Sequence, residues 1–306
     1  MHYSVLLQES IELLNIKPDG IYIDGTFGRG GHSRVILEKL NADGRLIAFD
    51  KDPEAITYAK KNFTDNRFKI IHASFASIKE QLLDLGINQI DGILLDLGVS
   101  SPQLDNAERG FSFRYDAPLD MRMDNSKGVT AAEWLLTASE EEMADVFWRY
   151  GEERFSRRIA KAIVRERETK VFTTTTELAK LVEAQIPYRE RGKNPATRVF
   201  QAIRIQVNNE LGDLEQILTD APQMLALNGR FVVISFHSLE DRLVKTAFNE
   251  FATADKLPKW AMVTDEAAEF GVIAKKVRAS MAEIDENSRS RSAVLRCLEH
   301  LKALQK

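Results

Sequence analysis

The first hundred residues alternate between two hydrophobic patterns. Residues 5–14 carry apolar side chains at helical spacing, and short apolar runs follow at 21–24, 46–50, 68–72 and 90–97, each read as a strand, with helices between them. Asp52-Pro53 opens the second crossover helix, with a capping carboxylate followed by proline at the first helical position. Strands alternating with helices predict a parallel sheet with right-handed crossovers. The alternation stops near residue 106. From there to 204 the strand signal almost vanishes, and helix-like segments such as 131–136, 140–149 and 155–167 succeed one another. It resumes with a helical stretch at 195–227, a strand at 230–236, a helix at 239–251 and a closing strand near 293–298. The predicted class is α/β: a doubly wound sheet in a discontinuous domain, 1–106 with 205–306, interrupted by an all-helical insertion, 107–204. No repeat or low-complexity tract occurs.

The candidate chemistry begins where the first predicted strand ends. Asp24-Gly25-Thr26-Phe27-Gly28-Arg29-Gly30-Gly31-His32 forms the turn into a helix at 33–40. Glycine in such a turn lets the backbone press against a ligand. Asp50 closes the next strand, about 20 residues on, where an acid accepts from both ribose hydroxyls of a nucleoside. A dinucleotide turn has glycine at its first, third and sixth positions. Counted from Gly28 the sixth is Ser33, which disfavours a nicotinamide oxidoreductase. An acid followed by spaced glycines instead resembles the first motif of S-adenosylmethionine-dependent methyltransferases. The bland alternative is a tight connection that binds nothing.

Composition narrows the class. The 306 residues suit one large or two ordinary domains, and 44% hydrophobic with 29% charged residues are values of a soluble globular protein. Cys297 is the single cysteine, so no internal disulfide forms and a reducing compartment fits; within a predicted strand it reads as a buried structural thiol. Glu9 and Glu12 break the apolar amino-terminal stretch, so no signal peptide is expected. No run nears the roughly 20 apolar residues of a membrane span. A cytoplasmic location is expected.

The net charge of −4 hides a basic segment. Residues 149–204 carry fourteen Lys or Arg against seven Glu, and Lys275, Lys276, Arg278, Arg289, Arg291 and Arg296 follow. One reading is a face for a phosphate-bearing partner, and the other is a solvated helix laced with ion pairs; charge alone leaves both open. An acidic chain suits a shaped, structured nucleic acid better than free nucleic acid of any sequence.

Longer motifs run along the chain. They are His2 with Ser4-Val5-Leu6-Leu7, the glycine turn itself, Leu95-Asp96-Leu97-Gly98-Val99-Ser100-Ser101-Pro102-Gln103-Leu104-Asp105, and Arg109-Gly110-Phe111-Ser112-Phe113. Pro118-Leu119-Asp120-Met121-Arg122-Met123-Asp124, Pro195-Ala196-Thr197-Arg198, Ser235-Phe236-His237-Ser238-Leu239-Glu240-Asp241-Arg242 and Ser288-Arg289-Ser290-Arg291-Ser292-Ala293 complete the set. Together they resemble the ribosomal small subunit methyltransferase H (RsmH, MraW) family. The resemblance implies a Rossmann-like S-adenosylmethionine methyltransferase sheet with an inserted helical substrate-recognition domain. It implies S-adenosyl-L-methionine as cofactor and the N4 amine of a cytosine in the decoding region of 16S rRNA as target. The implied partner is 16S rRNA in the assembled small subunit or a late precursor, with no membrane; monomer and homodimer both stay open.

Carried over position by position, the resemblance places cofactor contacts at Gly30, Gly31, His32, Asp50, Phe75, Asp96 and Gln103. Gly30 and Gly31 would let the turn approach the methionine end. Asp50 would hold the ribose. Phe75 would stack on adenine, with a plain core phenylalanine as the alternative. His32 equally suits a helix-start residue bonded to its own turn. Asp96, at the end of the fourth predicted strand, is the candidate catalytic group or a cofactor contact only; no metal ligand is assigned. The cytosine amine is a weak nucleophile, so it needs alignment and an acceptor for its hydrogen, not a thiolate.

Asp96-Leu97-Gly98-Val99 lacks the stacking aromatic that follows the acid or asparagine in many amino-methyltransferases, leaving Phe111, Phe113 or Phe236 as candidates to stack on the base. Asn194, Ser288 and Tyr115 depart from the usual family residues without touching the cofactor positions. Arg109, Arg198, Arg289 and Arg291 are candidates for RNA phosphates, with buried ion pairs as the alternative. His237 is open between substrate contact and turn capping. Competing functions are methylation of DNA or protein, and a non-catalytic RNA-binding factor, although the intact glycine turn disfavours the latter.

Overall fold

The computed structural model describes residues 4–187, 194–253 and 268–301; His2, Arg189, Arg191 and Lys193 lie outside them. The chain divides into two compact units, residues 1–98 with 211–306, and residues 99–210.

In the first unit seven strands form one sheet: β1 (Ile21–Asp24), β2 (Arg45–Asp50), β3 (Phe68–His72), β4 (Ile90–Asp96), β5 (Leu225–Ser235), β6 (Phe270–Val277) and β7 (Val294–His300). Their order is β3-β2-β1-β4-β5-β7-β6. The first five run parallel, and β7 lies antiparallel between β5 and β6. The order reverses between β1 and β4, where open parallel sheets receive ligands beyond the carboxyl ends of their strands. Helices cover both faces, so the strands read as continuous apolar runs. Ile23, Phe49, Leu95 and Phe231 pack with Leu82, Ile217 and Phe248 on one face. Tyr22, Leu46, Leu94 and Val232 pack with Leu14 and Ile36 on the other. Cys297 joins that second core, and burial pushes its thiol up to about 12, which makes it structural.

Two elements differ from expectation. β6 has no predicted counterpart, because Gly271, Lys275 and Lys276 dilute its apolar pattern. It is an edge strand whose exposed lysines discourage pairing with another chain. The predicted helix at 195–227 is two helices, Thr197–Asn208 and Glu210–Met224, and residues 225–227 belong to β5. The break falls at Asn209, whose φ of 52° is left-handed, a region asparagine tolerates better than most residues.

The second unit is helical. Helices Ala131–Thr137, Glu140–Gly151, Ser156–Arg167, Thr175–Gln185 and Thr197–Asn208 share a core that includes Leu135, Phe147, Ile163, Val182 and Ile203. Thr130 and Glu133 close a reciprocal capping box at the first of these, and Ser139 caps the second. Among the described residues, no helix is long and apolar enough to cross a membrane.

Candidate active site

Asp24, Asp50 and Asp96 end three neighbouring parallel strands, β1, β2 and β4. The turn at residues 25–30 is stitched to both flanking strands. Gly25 N donates to Leu94 O and Phe27 N to Phe49 O, each at 2.9 Å. Gly28 N donates to Asp50 Oδ2 and Asp96 N to Thr26 Oγ1, each at 2.7 Å. Asp24 is buried beneath the turn, accepting from Ser33 Oγ at 2.6 Å and Thr26 N at 3.1 Å; burial still pushes its carboxyl up to about 6.

Gly30 has a φ of 72°, and a Cβ there would fall on Phe63 Cζ and within 2.7 Å of the Phe27 ring. Phe27, Phe63 and Phe68 pack as a trio with centroids 4.8–5.7 Å apart. A Cβ on Gly31 would fall on Ser4 Oγ. Protein atoms fill the space beside both α-carbons. Packing accounts for the missing side chains.

His32 bonds not its own turn but Val5 O, with Nε2 at 3.2 Å. A carbonyl only accepts, so the neutral ring carries its proton on Nε2 and turns the Nδ1 lone pair toward Asp96 Oδ2, 3.9 Å away. Burial pulls His32 down to about 4, so at neutral pH the two are not an ion pair. The segment that positions Val5 is itself held: Leu6, at a left-handed φ of 49°, donates its N–H to Glu283 Oε1 at 2.8 Å.

Asp50 accepts from Asp52 N at 2.8 Å through Oδ1, besides Gly28 N through Oδ2. Burial pushes it up to about 6; these two bonds oppose the shift, and the charges of Asp52 and Asp24 add to it. Asp96 is pushed well above the usual carboxylate range, first by burial and then by the charges of Asp24, Glu240 and Glu283. Its Oδ1 is sealed from solvent with no hydrogen-bond partner among the described residues, although the side chain keeps 24% exposure. A carboxyl so placed is an acceptor in search of a donor or a cation.

Phe75 begins the short turn Phe75–Ser77 after β3, half-buried against the core. Its Cβ would come within 3.2 Å of a Cβ added to Gly25. Beside it, Ser74 Oγ and Lys51 Nζ both reach Asp213 Oδ2 at 2.5 Å. Gln103 belongs to the 99–210 unit, where its Oε1 accepts from Ser100 N at 2.8 Å in a capping box. The structure thus ties Gly30, Gly31, His32, Asp50, Phe75 and Asp96 to one turn. It describes Gln103 in a local capping role.

Several residues predicted to meet RNA are committed elsewhere. Arg109 is buried and donates to Arg122 O and Met123 O at 3.1 and 2.9 Å. Arg296, counted only among the basic residues of the carboxyl-terminal part, is buried and paired with Asp241 at 2.7 Å. Phe111 and Phe113 pack with the helical core, Phe113 edge-on to Phe200 at 4.7 Å. His237 caps helix Ser238–Phe251, its Nδ1 3.5 Å from Glu240 N. Arg198 is half-buried, whereas Arg289 and Arg291 are exposed. Thr26, Ser33 and Glu240 support the site from within motifs already noted. Lys51, Asp213 and Glu283 carried no local signal, since each acts through a partner distant in sequence.

A reversed parallel sheet with a glycine turn on β1, an acid on β2 and an acid on β4 defines a Rossmann-like methyltransferase domain. The chain belongs to the MraW methylase family, which it matches over residues 1–301. It is 53% identical to the ribosomal RNA small subunit methyltransferase H of Chromobacterium violaceum, covering 99% of this chain and 96% of that one. Proteins of the same name from Nitrosospira multiformis and Shewanella amazonensis are 54% and 52% identical, each over 98% of this chain and 97% of theirs.

Proposed function

We propose that this chain transfers a methyl group from S-adenosyl-L-methionine to the N4 amine of a cytosine in the decoding region of 16S rRNA, in the cytoplasm. The observation that carries the reading is Asp96, an acceptor at the tip of β4 whose Oδ1 has no donor among the described residues. The names of the relatives support small-subunit rRNA as the substrate class. When bound, the cofactor supplies an electrophilic methyl on a sulfonium. The residues present fit it: Asp50 keeps lone pairs for the ribose hydroxyls, Phe75 offers a ring edge or face to adenine, and the turn with His32 lies beside Asp96 for the methionine end. Gln103 is assigned to the same cofactor. Asp96 aligns the amine by accepting its hydrogen and stabilises the positive charge that grows on nitrogen, the kind of preorganised contact that lowers a barrier. The helical unit recognises the substrate, with the target base unpaired or splayed out and the assembled small subunit or a late precursor as its carrier.

The test is methyl transfer from labelled S-adenosylmethionine to unmethylated small ribosomal subunits, followed by digestion to nucleosides. N4-methylcytidine is the expected product. Label in another nucleoside, or none despite measured cofactor binding, would reject the assignment.

Asp50 adds a pH signature. Ribose hydroxyls stabilise its charged form, whereas the free protein holds it up to about 6. Cofactor binding should therefore release protons near pH 6 and tighten as pH rises from about 5 to 7, then level off. Calorimetry in buffers of different ionisation enthalpy reads this directly. Asp50→Asn should bind more weakly and lose its share of the proton release; an unchanged release would place the titration elsewhere.

A further inference from the structure

We propose that the exposed face of helix Ser156–Arg167 is where the helical unit grips the phosphate backbone of folded RNA, an inference that rests on the rRNA reading above and names its docking surface. Arg157, Lys161 and Arg165 recur every fourth residue, and Arg158 lies beside them, so the four share one side of the helix. All four are exposed, while Ile159, Ala160, Ala162 and Ile163 bury the opposite side in the core. Together with Glu140 and Gln185 the cations line a surface cleft of about 330 Å³.

What sets this face apart is that, although Glu140 lines the same cleft, its cations form no ion pair among the described residues. Arg158 donates to Gln185 Oε1 at 3.3 Å, a neutral partner. Among the described residues, no carboxylate pairs with Arg157, Lys161 or Arg165. Several other cations of the same unit are committed: Arg204 pairs with Glu210 at 2.8 Å, Arg122 with Asp120 at 2.7 Å, and Arg167 donates to Leu135 O and Ala138 O. Like charges four residues apart repel and weaken a helix. A face that accepts this cost on a chain of net charge −4 is not the ion-paired, solvated helix that charge counting alone allowed. The helical rise places the three every-fourth positions roughly 6 Å apart in a row. A row of cations rich in arginine, whose planar fork suits phosphate oxygens, complements a polyphosphate strand rather than a single anion.

The test compares wild type with the R157Q/K161Q/R165Q variant of the full chain in methyl transfer to unmethylated small subunits at several salt concentrations. The variant is expected to raise KM for the subunit about tenfold or more and to flatten the slope of log KM against log salt by about two or more. Cofactor affinity, measured by calorimetry, serves as the control for folding. The charge-keeping R157K/R165K variant should restore most of the loss, and K39Q/K60Q/K61Q, on exposed lysines of the other unit, should match wild type. A triple variant with unchanged KM and salt slope would overturn this surface while leaving the enzymatic reading intact. A raised KM with an unchanged salt slope would also overturn it, because the partner would then not be phosphate. Absence of transfer by the wild type would overturn the enzymatic reading first, and this surface with it.

Discussion

Replacing Asp96 by Ala is expected to lower kcat for methyl transfer by about 10²–10³-fold, which corresponds to roughly 3–4 kcal/mol of transition-state stabilisation. The expectation follows from an acceptor that no group among the described residues satisfies, at the tip of a strand where the reacting atoms must meet. The loss should fall on kcat more than on cofactor affinity, since Asp50 and the glycine turn remain. Stability should move the other way. Asp96 titrates well above 3.8 in the folded protein, so the folded state binds its proton more tightly than the unfolded chain does. Its ionisation costs nothing below the ordinary carboxylate value and costs progressively more as pH climbs through the raised one. Asp96→Asn removes that cost, so at neutral pH the amide variant should melt higher than wild type while transferring methyl groups poorly. A residue of purely structural value would lose both. Single-turnover kinetics alongside thermal melts from pH 5 to 8 separate the cases, and a variant with near-normal kcat would remove Asp96 from the chemistry.

Gly30→Ala is the largest stability change expected at the site. Its Cβ must fit where the Phe63 and Phe27 rings already sit, and the backbone is left-handed. Overpacking costs about 1–3 kcal/mol, and a side chain in the left-handed region adds roughly 1 kcal/mol or more. Together these predict a loss of about 2–4 kcal/mol, visible in urea titration as a lower midpoint with an unchanged slope. Gly31→Ala is the informative partner. Its Cβ meets the Ser4 hydroxyl, a single side-chain atom that a rotamer change can turn away, and no positive φ adds strain. The second substitution should cost clearly less. Equal midpoints for the two variants would mean that the aromatic trio relaxes around a methyl group.

Much of the fold was legible because its signals are local. Apolar runs such as 21–24 and 46–50 reveal strands buried on both faces, and Asp52-Pro53 announces a helix start that the structure realises as an Asp52 cap on Glu54 N at 2.9 Å. The break at residue 209 was not legible, since helical periodicity runs straight through it and the turn depends on Asn208 reaching Met121 O and Met123 N. β6 was missed for a related reason: an edge strand half open to water need not look apolar. At the site, the glycine turn, Asp50 and Asp96 stood out by motif. The burial of Arg109 was not legible, because an arginine in sequence does not say whether it meets solvent, a carbonyl or a carboxylate.

The sequence by itself determined the alternation of strands and helices, the place of the glycine turn, the acids at the strand tips and the family, all of which reside in runs of a few adjacent residues. Only the tertiary structure decided the protonation preferences of Asp24, His32, Asp50 and Asp96, because those depend on how completely water is excluded and on which charges come near. It alone showed that Glu283 holds Leu6 across a separation of 277 residues, and that the clustered cations of one helix face form no ion pair among the described residues. Burial and long-range hydrogen bonds are properties of the packed chain, and no window of adjacent residues contains them.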